Sequence, residues 1–83
     1  MDFCMITFRS VTPAQRGENL LRKEGISCSL QRTPRALADQ GCGYSIRLNC
    51  AHLQQAAELL RQKGILYRRA YKLREGNPEE VLL

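Results

Sequence analysis

Four cysteines are the residues of this chain best suited to covalent chemistry, and they stand at positions 4, 28, 42 and 50. Four cysteines permit three disulfide pairings in an exported protein, but the first residues lack the basic and apolar segments of a secretion signal. We therefore expect a cytoplasmic protein with reduced thiols. Because no Cys-x-x-Cys motif is present, we expect neither a structural metal site nor another cofactor.

Cys42 differs from the other three cysteines because Gly41 and Gly43 flank it. Flanking glycines leave a sulfur sterically accessible and allow successive backbone N–H groups to point toward one site. The alternative is that the glycines only make a sharp turn and that Cys42 fills space, since free cysteines are among the most buried residues. Cys50, at a predicted helix start, is the second candidate thiol.

Basic residues precede Cys42 in the longest predicted connection, over residues 33–43. Pro34 can begin a short helical turn, and the N-terminus of such a turn attracts anions. Arg32 and Arg35 lie beside it in the sequence. Positive charge near a thiol stabilises the thiolate, and by the same electrostatics it would stabilise a persulfide or perselenide anion. Arg32, Pro34 and Arg35, with the two glycines beside Cys42, are therefore predicted to bind the anionic group that the thiol would carry.

A repeated segment indicates where two helices end. Residues 20–26 read Leu-Leu-Arg-Lys-Glu-Gly-Ile, and residues 59–65 are identical to them at five of seven positions. In each copy the glycine can adopt the left-handed backbone that terminates a helix, and the isoleucine can close the hydrophobic contact of the cap. Each copy therefore predicts a helix followed by a strand.

Capping residues and apolar patterns predict the element order β-α-β-β-α-β. Thr12 and Asn49 are the predicted N-caps of helices over residues 13–24 and 50–63. Apolar runs and alternation predict four strands, at residues 3–8, 26–31, 44–49 and 65–72. Right-handed crossovers would place both helices on one face of a four-stranded antiparallel sheet. The expected fold is therefore an α+β, ferredoxin-like sandwich.

Length and composition are those of one small folded domain. The 83 residues are 43% hydrophobic and 25% charged, as in ordinary globular proteins. We expect the domain to span residues 1–73 and residues 74–83 to form a loose tail. No stretch approaches the ~18 apolar residues of a membrane span. The net charge of +5 favours anionic partners, although the basic residues are dispersed.

Other functions remain open on the residues alone. The predicted sheet has one face without helices, which would suit a small-ligand or protein-interaction module or a homodimer. Nucleic-acid binding is disfavoured because the third strand, residues 44–48, lacks the aromatic motif that stacks RNA bases. No Ser-His-Asp set and no glycine-rich phosphate loop is present, which favours a carrier or binding protein over a stand-alone enzyme.

The pattern of residues 3–73 resembles a family of short bacterial domains described as putative selenium/sulfur carrier proteins. The matching stretches are residues 5–8, 20–26, 33–35 with Leu37, and 41–43. Thr33-Pro34-Arg35 followed by Cys42-Gly43 is the specific part of this resemblance. It implies that Cys42 carries sulfur or selenium, with Pro34, Arg35 and Gly43 around it. It also implies protein partners, namely the enzymes that donate and accept the carried atom.

Overall fold

The computed structural model describes residues 3–34, 43–75 and 77–83. Their elements, in chain order, are β1 (Phe3–Phe8), α1 (Val11–Lys23), β2 (Cys28–Arg32), β3 (Tyr44–Leu48), a 3₁₀ turn (Cys50–His52), α2 (Leu53–Gln62), β4 (Ala70–Arg74) and β5 (Asn77–Val81). The strands form one antiparallel sheet in the order β2-β3-β1-β4-β5. The fold is therefore α+β as predicted, but the prediction of four strands was wrong. No helix in the described segments is long and apolar enough to cross a membrane.

Both helices pack on the same face of the sheet. Leu21 of α1 and Leu60 of α2 are fully buried in one apolar cluster with Phe8 and Ile46 of the sheet. Gly17 lets α1 approach closely, because a Cβ added there would lie 3.1 Å from both Ile46 Cδ1 and Leu60 Cδ2. The main core therefore lies between the helices and the β1–β3 part of the sheet.

The two repeated segments end their helices in the same way, which confirms the prediction from the sequence. Gly25 and Gly64 have φ values of 82° and 70°, in the left-handed region that glycine adopts without strain. In each segment the following residue, Ile26 or Ile65, donates its N–H to the carbonyl five residues earlier at 2.9 Å. This hydrogen bond is characteristic of the Schellman motif.

The start of α1 differs from the prediction. The helix begins at Val11, and Ser10, rather than Thr12, occupies the N-cap position, without a side-chain capping hydrogen bond. Pro13 is consequently the third helical residue instead of the first. Proline is tolerated there because the N–H groups of the first turn have no acceptor within the helix.

The predicted cap of the second helix is confirmed, although its first turn is not α-helical. The Asn49 side chain accepts the N–H of Ala51 at 2.9 Å. The capped segment is the 3₁₀ turn over residues 50–52, and α2 follows it directly. Tight 3₁₀ turns are common at helix ends.

Strand β4 begins at Ala70 rather than at residue 65. Just before it, Arg68 donates its N–H to the Thr7 carbonyl, and the Thr7 N–H donates to the Arg69 carbonyl, both at 2.8 Å. Arg68 and Arg69 thus lie opposite the single residue Thr7, as in a β-bulge. Thr7 Oγ1 also accepts the Arg69 N–H at 3.1 Å. These bonds replace the regular ladder that the sequence pattern had suggested.

The predicted loose tail contains strand β5. Its residues pair with β4 from Arg74↔Asn77 to Ala70↔Val81, and the two-residue connection is the length of a tight hairpin. Glu75, the first residue of that connection, has a φ of 54°. Pro78 argued against a strand, but β5 is at the sheet edge, where proline is tolerated.

The sheet face without helices is only partly exposed to solvent. Met5, Tyr71 and Leu73 form a second buried apolar cluster there, with Phe3 packed against it. The Arg47 guanidinium covers the Phe3 ring, 3.9 Å from its centroid. This face is therefore apolar near β4. Homodimerisation through it, or binding of a ligand or another protein there, stays a prediction.

Candidate functional site

Half of the predicted site residues can be located in the structure. Those that lie outside the described residues are Arg35, Gly41 and Cys42. The helical turn predicted to start at Pro34 falls in the same segment. Arg32, Pro34 and Gly43 are described, and they lie where the chain leaves β2 and returns to β3.

We call this region the loop base and define it by Phe8, Thr33, Gly43 and Ser45. The Thr33 N–H donates to the Gly43 carbonyl at 2.9 Å, which extends the β2–β3 ladder beyond both strands. The Thr33 and Ser45 hydroxyls share a hydrogen bond of 2.6 Å. Because Ser45 is fully buried, this bond satisfies a polar group that water does not reach. The ends of the segment are therefore held firmly together.

Gly43 is required by close packing rather than by an unusual backbone angle. A Cβ added at this position would lie 3.1 Å from the carbonyl oxygen of Phe8 and 3.3 Å from Thr33 Oγ1. The first of these neighbours is backbone and cannot rotate away. The sequence suggested that Gly43 leaves the Cys42 sulfur accessible or makes a sharp turn. The structure adds that Gly43 lets β1 approach the start of β3.

Arg32 and Pro34 lie on the β2 side of the loop base. The exposed Arg32 side chain pairs across the ladder with Tyr44, and its guanidinium carbon is 6.0 Å from the Tyr44 ring centroid. That distance is at the outer limit of a cation–π contact. Pro34 is half-buried. The structure thus brings a guanidinium and Gly43 to the same end of the sheet. That they bind the carried group stays a prediction.

Two of the other cysteines are joined in a disulfide. Cys4 of β1 is bonded to Cys50, with their Cα atoms 5.0 Å apart, a normal separation for a bridged pair. Cys4 is 1% exposed. The expectation of reduced thiols was wrong for this pair, because the fold places the start of β1 beside the turn that precedes α2. Cys50 is therefore not the second free thiol that the sequence suggested.

Cys28 has a free thiol that the fold makes less acidic. The side chain is half-buried, and this burial is the main reason that its pKa is raised above the ordinary value of 9.0. The nearby Glu18 carboxylate raises the pKa further, while Arg22 partly opposes both effects. The thiolate is the nucleophilic form. Cys28 is therefore a weaker nucleophile near neutral pH than a thiol with the ordinary pKa.

Side chains of α1 also cover the outer edge of β2 near Cys28. Glu18 Oε2 accepts the Leu30 N–H at 2.7 Å, and Arg22 donates to the Cys28 carbonyl from Nε at 3.3 Å and from Nη2 at 3.1 Å. The two side chains form an ion pair of 3.2 Å. An edge strand normally exposes such backbone groups to other chains. Here they are occupied, so this edge is closed around Cys28.

The described cysteines and the loop base lie at opposite ends of the sheet. Cys4 and Cys28 both pair with Leu48, the last residue of β3, whereas Gly43 precedes its first residue. Four residue steps separate Tyr44 from Leu48, which corresponds to ~13 Å along a strand. Among the residues that the structure describes, no group of three or more metal-ligating side chains comes together.

Comparison with known proteins gives one family. The profile of the family described as "Putative Se/S carrier protein-like" matches residues 3–72. Since the match runs from β1 into β4 and covers most of the chain, the protein belongs to this family. No curated protein and no solved structure matched the sequence. The matched region contains all four cysteines and the loop base, and it ends before β5.

Thr33 and Ser45 are the site residues that sequence reasoning missed. Among the expectations from the sequence, Thr33 appears only in the family motif, and Ser45 is not singled out. Their hydroxyls meet because β2 and β3 pair in the register Gln31↔Ser45. The predicted strand ended at residue 31, before Thr33. Neither the place of Thr33 in the sheet nor the register that joins the two hydroxyls was therefore predicted.

Proposed function

We propose that this protein carries sulfur or selenium, as a persulfide or perselenide on Cys42, and passes it to a partner enzyme. Family membership supports the carrier role. One observation supports Cys42 as the residue that holds the carried atom. The other three cysteines are unsuited to this role. Cys4 and Cys50 are joined to each other, and Cys28 is half-buried with a raised pKa.

The loop base supports the same assignment. Cys42 directly precedes Gly43, whose backbone is packed against Phe8 and hydrogen-bonded to Thr33. Arg32 supplies positive charge at this end of the sheet, which suits an anionic persulfide. A carrier has to present its thiol to two proteins in turn, and connections between strands commonly hold such groups on a rigid scaffold.

The transfer steps need no oxidant or reductant. The Cys42 thiolate attacks the outer sulfur of a persulfide on the donor enzyme. The donor's S–S bond breaks, its cysteine leaves as a thiolate, and Cys42 then holds the persulfide. In delivery, a nucleophile of the acceptor attacks the outer sulfur, and the Cys42 thiolate is the leaving group. Selenium would follow the same course through a perselenide.

We also propose that residues 3–74 form a ferredoxin-like βαββαβ unit to which β5 adds a fifth strand. The order β2-β3-β1-β4 within the sheet and the packing of both helices on one face support this description. In such a unit the connection between the second and third strands lies at a surface end of the sheet. The proposed carrier residue would therefore be reached from the end that bears the loop base.

The test is mass spectrometry of the intact protein after incubation with a cysteine desulfurase and cysteine. We expect the wild-type chain and Cys28→Ser to gain one sulfur atom, and Cys42→Ser to gain none while its circular dichroism spectrum stays unchanged. Alkylation and peptide mapping would locate the added sulfur. Loading of Cys42→Ser to the wild-type level would contradict the proposal, as would failure of the wild type to load from both desulfurase and inorganic polysulfide.

A further inference from the structure

The exposed large apolar residues of the described segments converge on one groove. Leu66 is 84% exposed, Leu82 is 90% exposed and Leu83 is 41% exposed, and all three line a groove of about 450 Å³. It lies between the segment that follows α2 and the residues that follow β5. We call it the leucine groove and define it by these three leucines with Arg61 and Arg68. Clustered exposed apolar side chains, unlike scattered ones, mark interaction sites.

Two cationic side chains border the leucine groove. Arg61 and Arg68 both line it and are exposed. Within the described residues, no ion pair engages either of them. Arg69, by contrast, is paired with Glu80 at 3.6 Å. The groove therefore presents apolar surface beside unneutralised positive charge, on a chain whose net charge is +5.

We propose that the leucine groove docks an acidic segment, carrying leucine-like side chains, of the protein that donates sulfur to this carrier. The three exposed leucines would pack against the apolar side chains of that segment. Arg61 and Arg68 would face its carboxylates, and such charge complementarity speeds encounter and sets orientation. The assignment of the partner as a sulfur donor rests on the carrier function proposed above.

The position of the groove suits this role. The Arg68 N–H bonds to the Thr7 carbonyl, next to Phe8, whose carbonyl packs against Gly43. Strands β3 and β4 both flank β1, so they lie two strand spacings, ~10 Å, apart. A protein bound in the leucine groove would therefore occupy the same end of the sheet as the loop base and could reach a thiol beside Gly43 without dissociating.

Binding can be measured with a synthetic peptide of alternating glutamate and leucine pairs, titrated into the isotope-labelled full chain and followed by NMR. We expect saturable shifts centred on Leu66, Tyr67 and Leu82. Leu66→Ser and Arg68→Glu should each weaken binding about tenfold. The matched control, Lys23→Glu, reverses another exposed positive charge, at the end of α1 and outside the groove, and should leave binding unchanged. Absence of binding, or equal weakening by the control, would overturn the proposal.

Other occupants are separated by two further measurements. Sedimentation of the protein alone tests a second copy, and flotation with vesicles of phosphatidylserine and phosphatidylcholine tests a lipid surface. We expect Leu66→Ser to leave the sedimentation coefficient unchanged and the protein not to float. A dimer dissociated by Leu66→Ser, or vesicle binding abolished by Arg68→Glu, would assign the groove to that occupant and overturn the proposal.

The outcome can be distinguished from that of the carrier function. Inorganic polysulfide can load Cys42 without any docked protein, whereas a cysteine desulfurase has to bind. Leu66→Ser and Arg68→Glu should load normally from polysulfide and about tenfold more slowly from desulfurase. Normal loading of both variants from both sources would contradict the docking proposal but leave the carrier proposal standing. Peptide binding by a protein that loads from neither source would contradict the carrier proposal, and the groove would remain a binding site of another function.

Discussion

The cysteines at the two ends of the sheet lie in different surroundings. At the end where β1 and β2 begin, Cys4 is bonded to Cys50, and Cys28 is shielded by α1. At the other end, hydrogen bonds and close packing hold the loop base, and the chain beside Gly43 carries Cys42. A crosslink and a half-buried thiol thus leave Cys4, Cys28 and Cys50 poorly suited to act as nucleophiles. The proposed function assigns the chemistry to the remaining cysteine, which adjoins the loop base in the sequence.

The largest effect on stability is expected from breaking the disulfide. Cys4→Ala with Cys50→Ala should lower the free energy of unfolding by about 2–4 kcal/mol, because the bridge constrains an unfolded chain over a long loop. The sequence separation is 46 residues. Urea denaturation would measure the loss.

Sulfur loading of the same double variant sharpens the comparison. At temperatures where it stays folded, loading should match the wild type, since the disulfide lies at the far end of the sheet. Treating the wild type with a reductant is the control and should reproduce the stability loss. Loss of loading in the folded variant would show that the two ends are not independent.

The next largest effect should come from the loop base itself. Thr33→Val removes the hydroxyl bonded to Ser45 and leaves a buried polar group unpaired, which costs about 1–3 kcal/mol. Adding Ser45→Ala should restore part of that stability, because neither hydroxyl is then left alone. A double-mutant cycle by thermal or urea unfolding measures this coupling. Strictly additive losses would contradict the role assigned to the Thr33–Ser45 bond.

A substitution with a smaller expected effect separates the contribution of Gly43 to stability from its contribution to sulfur loading. Gly43→Ala forces a Cβ toward the Phe8 carbonyl, and we expect a loss of about 1 kcal/mol with clearly slower sulfur loading. Gly25→Ala is the matched control. Its φ of 82° makes alanine strained, with nothing nearby to clash, so it should cost about as much. Unlike Gly43→Ala, it should load at the wild-type rate; similar loading by both variants would remove Gly43 from the site.

The smallest effect concerns the pH dependence of stability at Cys28. In the unfolded chain this thiol ionises at its ordinary pKa of 9.0, while burial raises the pKa in the folded protein. The folded state therefore binds the proton more tightly, and its contribution is complete below pH 9 and lost as the pH rises toward the folded pKa. Wild type should lose more stability above pH 9 than Cys28→Ala does. Parallel curves would show that the thiol is not shielded.

Features set by neighbouring residues were predictable from the sequence. The helix ends at Gly25 and Gly64 follow from a local backbone requirement, and the Asn49 cap follows from a side chain that reaches only two residues along the chain. Strand β5 was not predicted, because Pro78 excludes a central strand and nothing in the sequence identified an edge. Strand β4 was predicted too early, since the hydrogen bonds of Thr7 to Arg68 and Arg69 depend on tertiary packing.

In the candidate site, too, features set by neighbouring residues were predicted and features set by tertiary packing were not. Arg32 was predicted from its place beside Pro34, and Gly43 from its place beside Cys42 and from the family resemblance. The structure brings the two residues to one end of the sheet, and their role in binding stays a prediction. The disulfide was not foreseen because Cys4 and Cys50 are distant in sequence and meet only after β1 packs beside the turn preceding α2. The close contact of Gly43 with Phe8 depends on strand order, which the residues flanking a cysteine do not reveal.

The most direct test of the difference between the two ends is the rate at which each cysteine reacts with iodoacetamide in the folded, unreduced protein at neutral pH. Peptide mass spectrometry would give the four rates in one experiment. We expect Cys42 to react far faster than Cys28, and Cys4 and Cys50 not to react. Reaction of Cys28 as fast as Cys42, or alkylation of Cys4 and Cys50, would contradict the assignment of the chemistry to Cys42.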